Sequence, residues 1–368
     1  MRFNNIQILR LFAAVGVVVH HVAAYGEFEF GVAPDAIRWL RLDWFAPCLN
    51  PLFFAISGFV LSHVLQNTPP LRFLVNRALR LYPGYWIALA LVTGSFALGL
   101  WPGRYLTVAR PAPTIETVFA VPPSSVKLGQ YPLMVEWTLI YEVVLWLWLL
   151  TMWAALGKKR MPYVVAVWLA AIAVKCVFWP NFGSQTLPSW RSVWVSVFVA
   201  PFMLGILSYY LKDRGRSWRW AVLAAILATH TFTIAFIPMM DIDAHFGLRS
   251  IAAGLTVWFL VQIPDAAATN KFVVAGGFSY GLYLLHVPLI LFSMRVMEAI
   301  GLLAGTMGGV AVAGVFAVAA GLTFGYGELL MYGRVKKLGN LPVSALLKRL
   351  TTRLQSIIRL GNTTPTGR

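Results

Sequence analysis

The sequence predicts an all-α membrane protein, a polytopic helix bundle with about ten transmembrane helices and both termini cytoplasmic. Three observations carry that prediction. Hydrophobic residues make up 59% of the 368 and charged residues only 12%, which leaves too little charge to clothe a soluble surface. The mean hydropathy is +0.72, and apolar runs recur at the roughly 20 residues a helix needs to cross a bilayer core. The basic residues fall mainly between and after those runs, as topology signals do.

Taken in order, ten runs can be placed, at 6–25, 45–66, 83–101, 136–156, 162–180, 191–211, 218–238, 246–263, 273–295 and 305–331. With the N-terminus inside, 21 Lys and Arg residues fall in cytoplasmic segments and 7 in outer loops. That bias orients the chain. The inner set includes the cluster Arg72, Arg77 and Arg80; the outer set is Arg38, Arg41, Arg104, Arg110, Lys127, Arg191 and Arg249. The net charge of +17 is therefore read as topology, and no nucleic-acid partner is expected. Two cysteines, Cys48 and Cys176, are too few for a disulfide framework or a zinc cluster. They read as buried free thiols, and no metal is expected.

The first run, Ile6 to Ala24, holds an arginine and two adjacent histidines. Such residues are costly in a bilayer and usually face a polar interior. Arg10 and His21 are eleven positions apart, which at about 100° per residue returns nearly to one face, with a rise of roughly 16 Å. His20 points about 80° away from that line. The basic start and short apolar core imitate a signal peptide, but the two histidines interrupt the core, so the segment is read as retained.

Further along, the loop from Trp101 to Val135 is Pro-rich and long for a compact bundle, hence a binding lid or a strap. Near the end, Val343, Leu346, Leu347, Leu350, Leu354, Ile357 and Ile358 share one helical face, with Lys348, Arg349, Arg353 and Arg359 elsewhere. This is a basic amphipathic helix suited to the anionic inner leaflet. The chain thus divides into a transmembrane domain, 1–335, and a cytoplasmic tail, 336–368. No internal repeat is evident, which argues against a transporter built from inverted halves.

Helical rise places His21, Glu142 and His286, from three different runs, each about 20 Å above the cytoplasmic surface. A carboxylate beside an imidazole is the usual means of holding the tautomer a general base needs. For His286 and His20 the plainer reading is an interhelical hydrogen bond. Arg77 and Arg80 lie three apart on one face. They are either positive-inside anchors or a site for a phosphorylated ligand, which forked guanidinium donors suit. No P-loop, zinc motif, nucleophile elbow or dinucleotide fingerprint occurs in a convincing context.

Five stretches together resemble the membrane-bound acyltransferase-3 family, especially its exopolysaccharide O-acetyltransferase branch. They are IQILRLFAAVGVVVHHV with Arg10 and His21, PLFFAISGFVLS from Pro51 to Ser62, and RFLVNRALRLYPGYW with Arg77, Arg80 and Pro83. EWTLIYE from Glu136 to Glu142 and FSYGLYLLHVPL through His286 and Pro288 complete the set. The doublet leaves the register of the key histidine open, and Thr138 stands where the family commonly has Ser. The resemblance implies an enzyme of the bacterial inner membrane that takes an acetyl group from cytoplasmic acetyl-CoA. Its acceptor would be a sugar hydroxyl on an exported or lipid-linked glycan.

On that resemblance His21, Glu142 and Arg10 are catalytic candidates, with His21 as general base and Glu142 orienting or charging it; an acyl-His intermediate is the alternative route. Arg77, Arg80 and Arg72 are candidates for holding the CoA phosphates. Trp137, His286 and His20 are candidates on the acceptor side, with Trp101 and Tyr105 at the outer mouth. The expected partners are acetyl-CoA, the glycan acceptor, membrane lipids and a second copy of the chain as a homodimer. Two other classes compete: a proton-coupled transporter of a glycan or small anion using the same His and Glu, and a non-catalytic export scaffold.

Overall fold

A computed structural model describes residues 3–41, 46–101, 113–122, 131–183, 189–237, 241–302 and 305–339. Thirteen α-helices and no strand occur among them. The chain begins with α1 (Asn4–Phe30), a short α2 (Pro34–Ile37), α3 (Leu49–Gln66) and α4 (Pro70–Ala97). It continues with a short α5 (Ile115–Phe119), α6 (Glu136–Leu156), α7 (Met161–Phe178) and α8 (Ala200–Tyr210). The last third comprises α9 (Arg219–Phe236), α10 (Ile242–Gln262), a short α11 (Lys271–Gly276), α12 (Ser279–Ala299) and α13 (Met307–Gly339). Eight of the segments are long and apolar enough to cross a membrane: α1, α3 with its preceding turn, α6, α7, α9, α10, α12 and α13. The protein is a multi-pass helical membrane protein.

Local chemistry sets the helix ends. The backbone N–H groups of Asn4 and Asn5, orphaned at the start of α1, donate to the two carboxylate oxygens of Asp265 at 2.9 and 2.7 Å. At the other end Gly31, at φ +69°, takes the left-handed conformation that closes a helix. Two runs differ from the sequence expectation. The third helix starts at Pro70, well before 83, so Arg72, Arg77 and Arg80 are helical; proline is favoured in a first turn, and Pro83 lies inside α4. The sixth run yields only a 3-10 turn, Val197–Val199, and the short α8. Pro201 in its first turn and the Ser196 hydroxyl, which accepts from the Phe198 amide, place that start late.

Helices α12 and α13 form the most extensive pairing, followed by α3 with α8. Both depend on glycine. A Cβ on Gly281 would lie 2.4 Å from the Gly325 Cα, and one on Gly325 would lie 2.1 Å from the Phe278 carbonyl oxygen. Without side chains the two backbones meet directly, the usual basis of close helix crossing in membranes. By contrast α9 buries only Thr233 and lies at the periphery against α10.

Several ionisable residues inside the bundle are paired. Lys175 donates to both oxygens of Asp243, at 3.0 and 2.8 Å, and the Asn181 amide donates to the same carboxylate at 2.6 Å. Arg249, placed in an outer loop by the charge count, instead lies within α10 and is fully buried. It donates to the Cys48 sulfur at 3.2 Å and to His245 Nε2 at 3.2 Å. Both cysteines are free thiols.

The loop after Trp101 falls partly outside the described residues. Its described part is docked: Tyr82 and Trp86 of α4 donate to the Phe119 and Val118 carbonyls of α5, each at 2.9 Å, and Tyr85 donates to that of Thr117. The amphipathic stretch from 343 onward lies outside the described residues. Helix α13 runs through the expected domain boundary at 335.

Candidate active site

Five helices enclose a cavity of about 130 Å³ in the half of the bundle where α1 begins. α1 contributes Arg10, α4 contributes Arg77 and Arg80, α6 contributes Thr138 and Glu142, and α3 and α12 supply Ser57, Phe53 and Tyr283. The first halves of α1 and α4 meet here, and Glu328 in the second half of α13 reaches Arg80, so the first half of α1 and the second half of α13 share one half of the bundle. Sequence spacing explains the convergence: Arg77 and Arg80 share a helical face, and Arg10 sits on the second turn of α1.

Three guanidinium groups in so small a space need counter-charge. Glu328, in the second half of α13 and 4% exposed, takes Arg80 into an ion pair. The Arg80 guanidinium also lies over Tyr280 and Tyr332, with ring centroids 5.3 and 5.5 Å away. Glu142 faces Arg10, Arg77 and Arg80 and lines the cavity together with Ser57. Arg77 lies 5.8 Å from the Phe73 ring centroid, and its buried Nε has no hydrogen-bond partner among the described residues. Three cations against two carboxylates leave the cavity net positive, suited to an anion.

Phe53 and Tyr283, with ring centroids 5.2 Å apart, both line the cavity. The Tyr283 hydroxyl shares a 2.8 Å hydrogen bond with Thr138 Oγ1. The Tyr283 ring in turn lies 5.6 Å from that of His286. His21 Nδ1 lies 2.8 Å from His286 Nε2, with the rings parallel within 1°. His286 Nδ1 lies 2.7 Å from the Tyr283 carbonyl oxygen. His286 is fully buried, whereas His21 keeps part of its surface and packs on Tyr25 at 5.8 Å.

The predicted residues therefore separate into two groups and some outliers. Arg10, Arg77, Arg80 and Glu142 share the cavity; His21 and His286 form a pair next to it. Glu142 is grouped with the arginines, and the partner of His21 is an imidazole. His20 turns away, its Nδ1 donating to the Arg41 carbonyl at 2.5 Å. Arg72 is exposed on the first turn of α4. Trp137 sits in an aromatic cluster with Phe54, Tyr141 and Phe198, with centroids 5.6 to 6.4 Å away. Trp101 is buried and stacks on Phe96 at 4.5 Å; Tyr105 lies outside the described residues. Glu328, Ser57, Tyr280 and Tyr283 were missed. Glu328 carried a usable signal, being the lone acidic residue of its apolar run.

The family described as "Acyltransferase domain" matches residues 3–326, nearly the whole bundle. Among characterised relatives, the exopolysaccharide production protein ExoZ of Rhizobium meliloti (strain 1021) is 26% identical over 261 residues, covering 69% of this chain and 78% of that protein. Nodulation protein 10 of Rhizobium leguminosarum bv. viciae is 26% identical over 328 residues, covering 81% of this chain and 84% of its own length. No solved structure matches.

Proposed function

The chain belongs to this acyltransferase domain family, and from that premise we propose that it is an O-acetyltransferase of the bacterial inner membrane. Its donor is cytoplasmic acetyl-CoA, its acceptor a sugar hydroxyl of an exported or lipid-linked glycan, and both termini face the cytoplasm. The observation that carries this reading is the net-positive cavity whose lining residue Tyr283 packs its ring 5.6 Å from that of His286, the partner of His21. The names of the two relatives, one tied to exopolysaccharide production, point to a glycan acceptor.

In this mechanism Arg77 and Arg80, with Arg10 beside them, hold the phosphates of the donor at the inner end of the cavity. Arginine's planar fork suits phosphate oxygens. The pantetheine arm then runs toward Phe53 and Tyr283, and the thioester arrives beside His21. His21 takes the proton of the sugar hydroxyl as its oxygen bonds to the acetyl carbonyl carbon. The C–S bond breaks, and the departing thiolate receives the proton from His21. Glu142 contributes by balancing the arginines that it faces.

The test is transfer of labelled acetyl from acetyl-CoA to a glycan or lipid-linked sugar fraction by the purified protein. Wild-type transfer supports the proposal. Absence of both transfer and acetyl-CoA binding would overturn it and favour a transporter or scaffold. In the same assay Glu142→Gln, expressed at the wild-type level, is expected to lower transfer at least about tenfold, the scale of a lost charged hydrogen bond. Unchanged transfer would remove Glu142 from the mechanism.

A further inference from the structure

The two histidines define each other's protonation. A carbonyl oxygen only accepts hydrogen bonds, so His286 Nδ1, 2.7 Å from the Tyr283 oxygen, carries the hydrogen. A neutral imidazole has one N–H, so His286 Nε2 presents a lone pair. That lone pair lies 2.8 Å from His21 Nδ1, which must therefore donate. The remaining nitrogen of His21, Nε2, is left with its lone pair free. Resting on the acyl-transfer reading above, we propose that His286 is the positioning residue of this site. It sets the tautomer of His21 so that Nε2 alone receives the acceptor's proton.

Burial separates this role from the acceptor-binding role assigned to His286 from sequence. At 0% exposed, His286 has no surface with which to meet a sugar. His21 keeps part of its surface. The chain of donors is also anchored well. The Tyr283 carbonyl belongs to α12, and the Tyr283 hydroxyl is tied to Thr138 of α6. Pro288, two residues beyond His286, has no N–H to return to the Leu284 carbonyl, so local polar demand along α12 is already unusual here. A carboxylate commonly orients a catalytic histidine. Here a neutral imidazole does so, and no full negative charge needs to be buried beside the base.

The reaction balances with this assignment. The sugar O–H bond breaks toward His21 Nε2, the O–C bond forms at the acetyl carbon, and the C–S bond breaks. The imidazolium proton then passes from Nε2 to the CoA sulfur. Throughout, the Nδ1 hydrogen stays directed at His286.

The experiment measures acetyl transfer, with kcat and the KM for acetyl-CoA separated, for wild type, His21→Ala, His286→Leu and His286→Gln. A glutamine carbonyl oxygen occupies nearly the position of His286 Nε2 and accepts from His21 Nδ1, whereas leucine does not. His286→Leu is expected to lower kcat about 100-fold, the upper range for lost orienting partners, with KM for acetyl-CoA unchanged. His286→Gln is expected to recover at least about tenfold of that loss. Transfer unimpaired in His286→Leu, a defect confined to KM, or glutamine no better than leucine would each overturn the proposal. Full transfer by His21→Ala would instead overturn the underlying reading of His21 as base.

Discussion

His21→Ala is expected to reduce acetyl transfer by about 100- to 10,000-fold, the range spanned by lost general acid–base catalysis. Binding of acetyl-CoA, measured separately, is expected to persist, because His21 is not among the residues that line the arginine cavity. His20→Ala is the natural control. Its ring is committed to the Arg41 carbonyl, and losing one neutral hydrogen bond costs on the order of 1 kcal/mol, or about fivefold. Comparable defects in the two variants would mean that the doublet acts as a unit and that the separate placements of its members carry no functional distinction.

The second large effect concerns the donor. Arg77→Ala is expected to raise the apparent KM for acetyl-CoA by about 10- to 100-fold, since a charged hydrogen bond is worth about 1.5–3 kcal/mol. Glu142 keeps Arg10 and Arg80 as facing cations when Arg77 is removed, so the substitution leaves no carboxylate without a counter-charge. Arg80→Ala differs. It leaves Glu328 buried without its cation, a situation that destabilises strongly. The KM effect of Arg80 is therefore best read in the Arg80→Ala/Glu328→Gln double variant, where the stranded charge is gone. An unchanged KM in both Arg77→Ala and the double variant would return these arginines to the role of topology anchors.

Local information in the chain suffices for some elements and not for others. Apolar length located eight of the ten expected runs as helices long and apolar enough to cross a membrane, because that is a property of each segment alone. Helix starts were harder. Nothing in the hydropathy around Arg72 to Arg80 announces a helix, yet Pro70 begins one, and its polar first half faces a cavity. Arg249 looked like a loop residue because charge implied exposure; Cys48, distant in sequence, and His245, one turn earlier in α10, accept its hydrogen bonds.

The site shows the same division. Arg10, Arg77, Arg80 and Glu142 were recognisable singly as ionisable residues in or near apolar runs, and the structure gathers them. Their partnerships were not legible. Glu142 and His21 were paired on the basis of depth, but depth leaves the angle around the bundle undetermined. It is that angle which puts Glu142 against the arginines and His286 against His21. Glu328 was overlooked because it stands so near the basic residues that end its helix.

The glycine contact between α12 and α13 has a mechanical consequence. With backbones touching at Gly281 and Gly325, the two helices behave as a single stiff rod pair. One carries Tyr283 and His286, the other Glu328, which grips Arg80. The anchor for the donor's charged end and the support for the reacting histidine are thus mounted on one calliper with a set gap. On the acyl-transfer reading, such a calliper gauges its substrate by length: a donor whose thioester falls short of the far jaw is held but left unreacted.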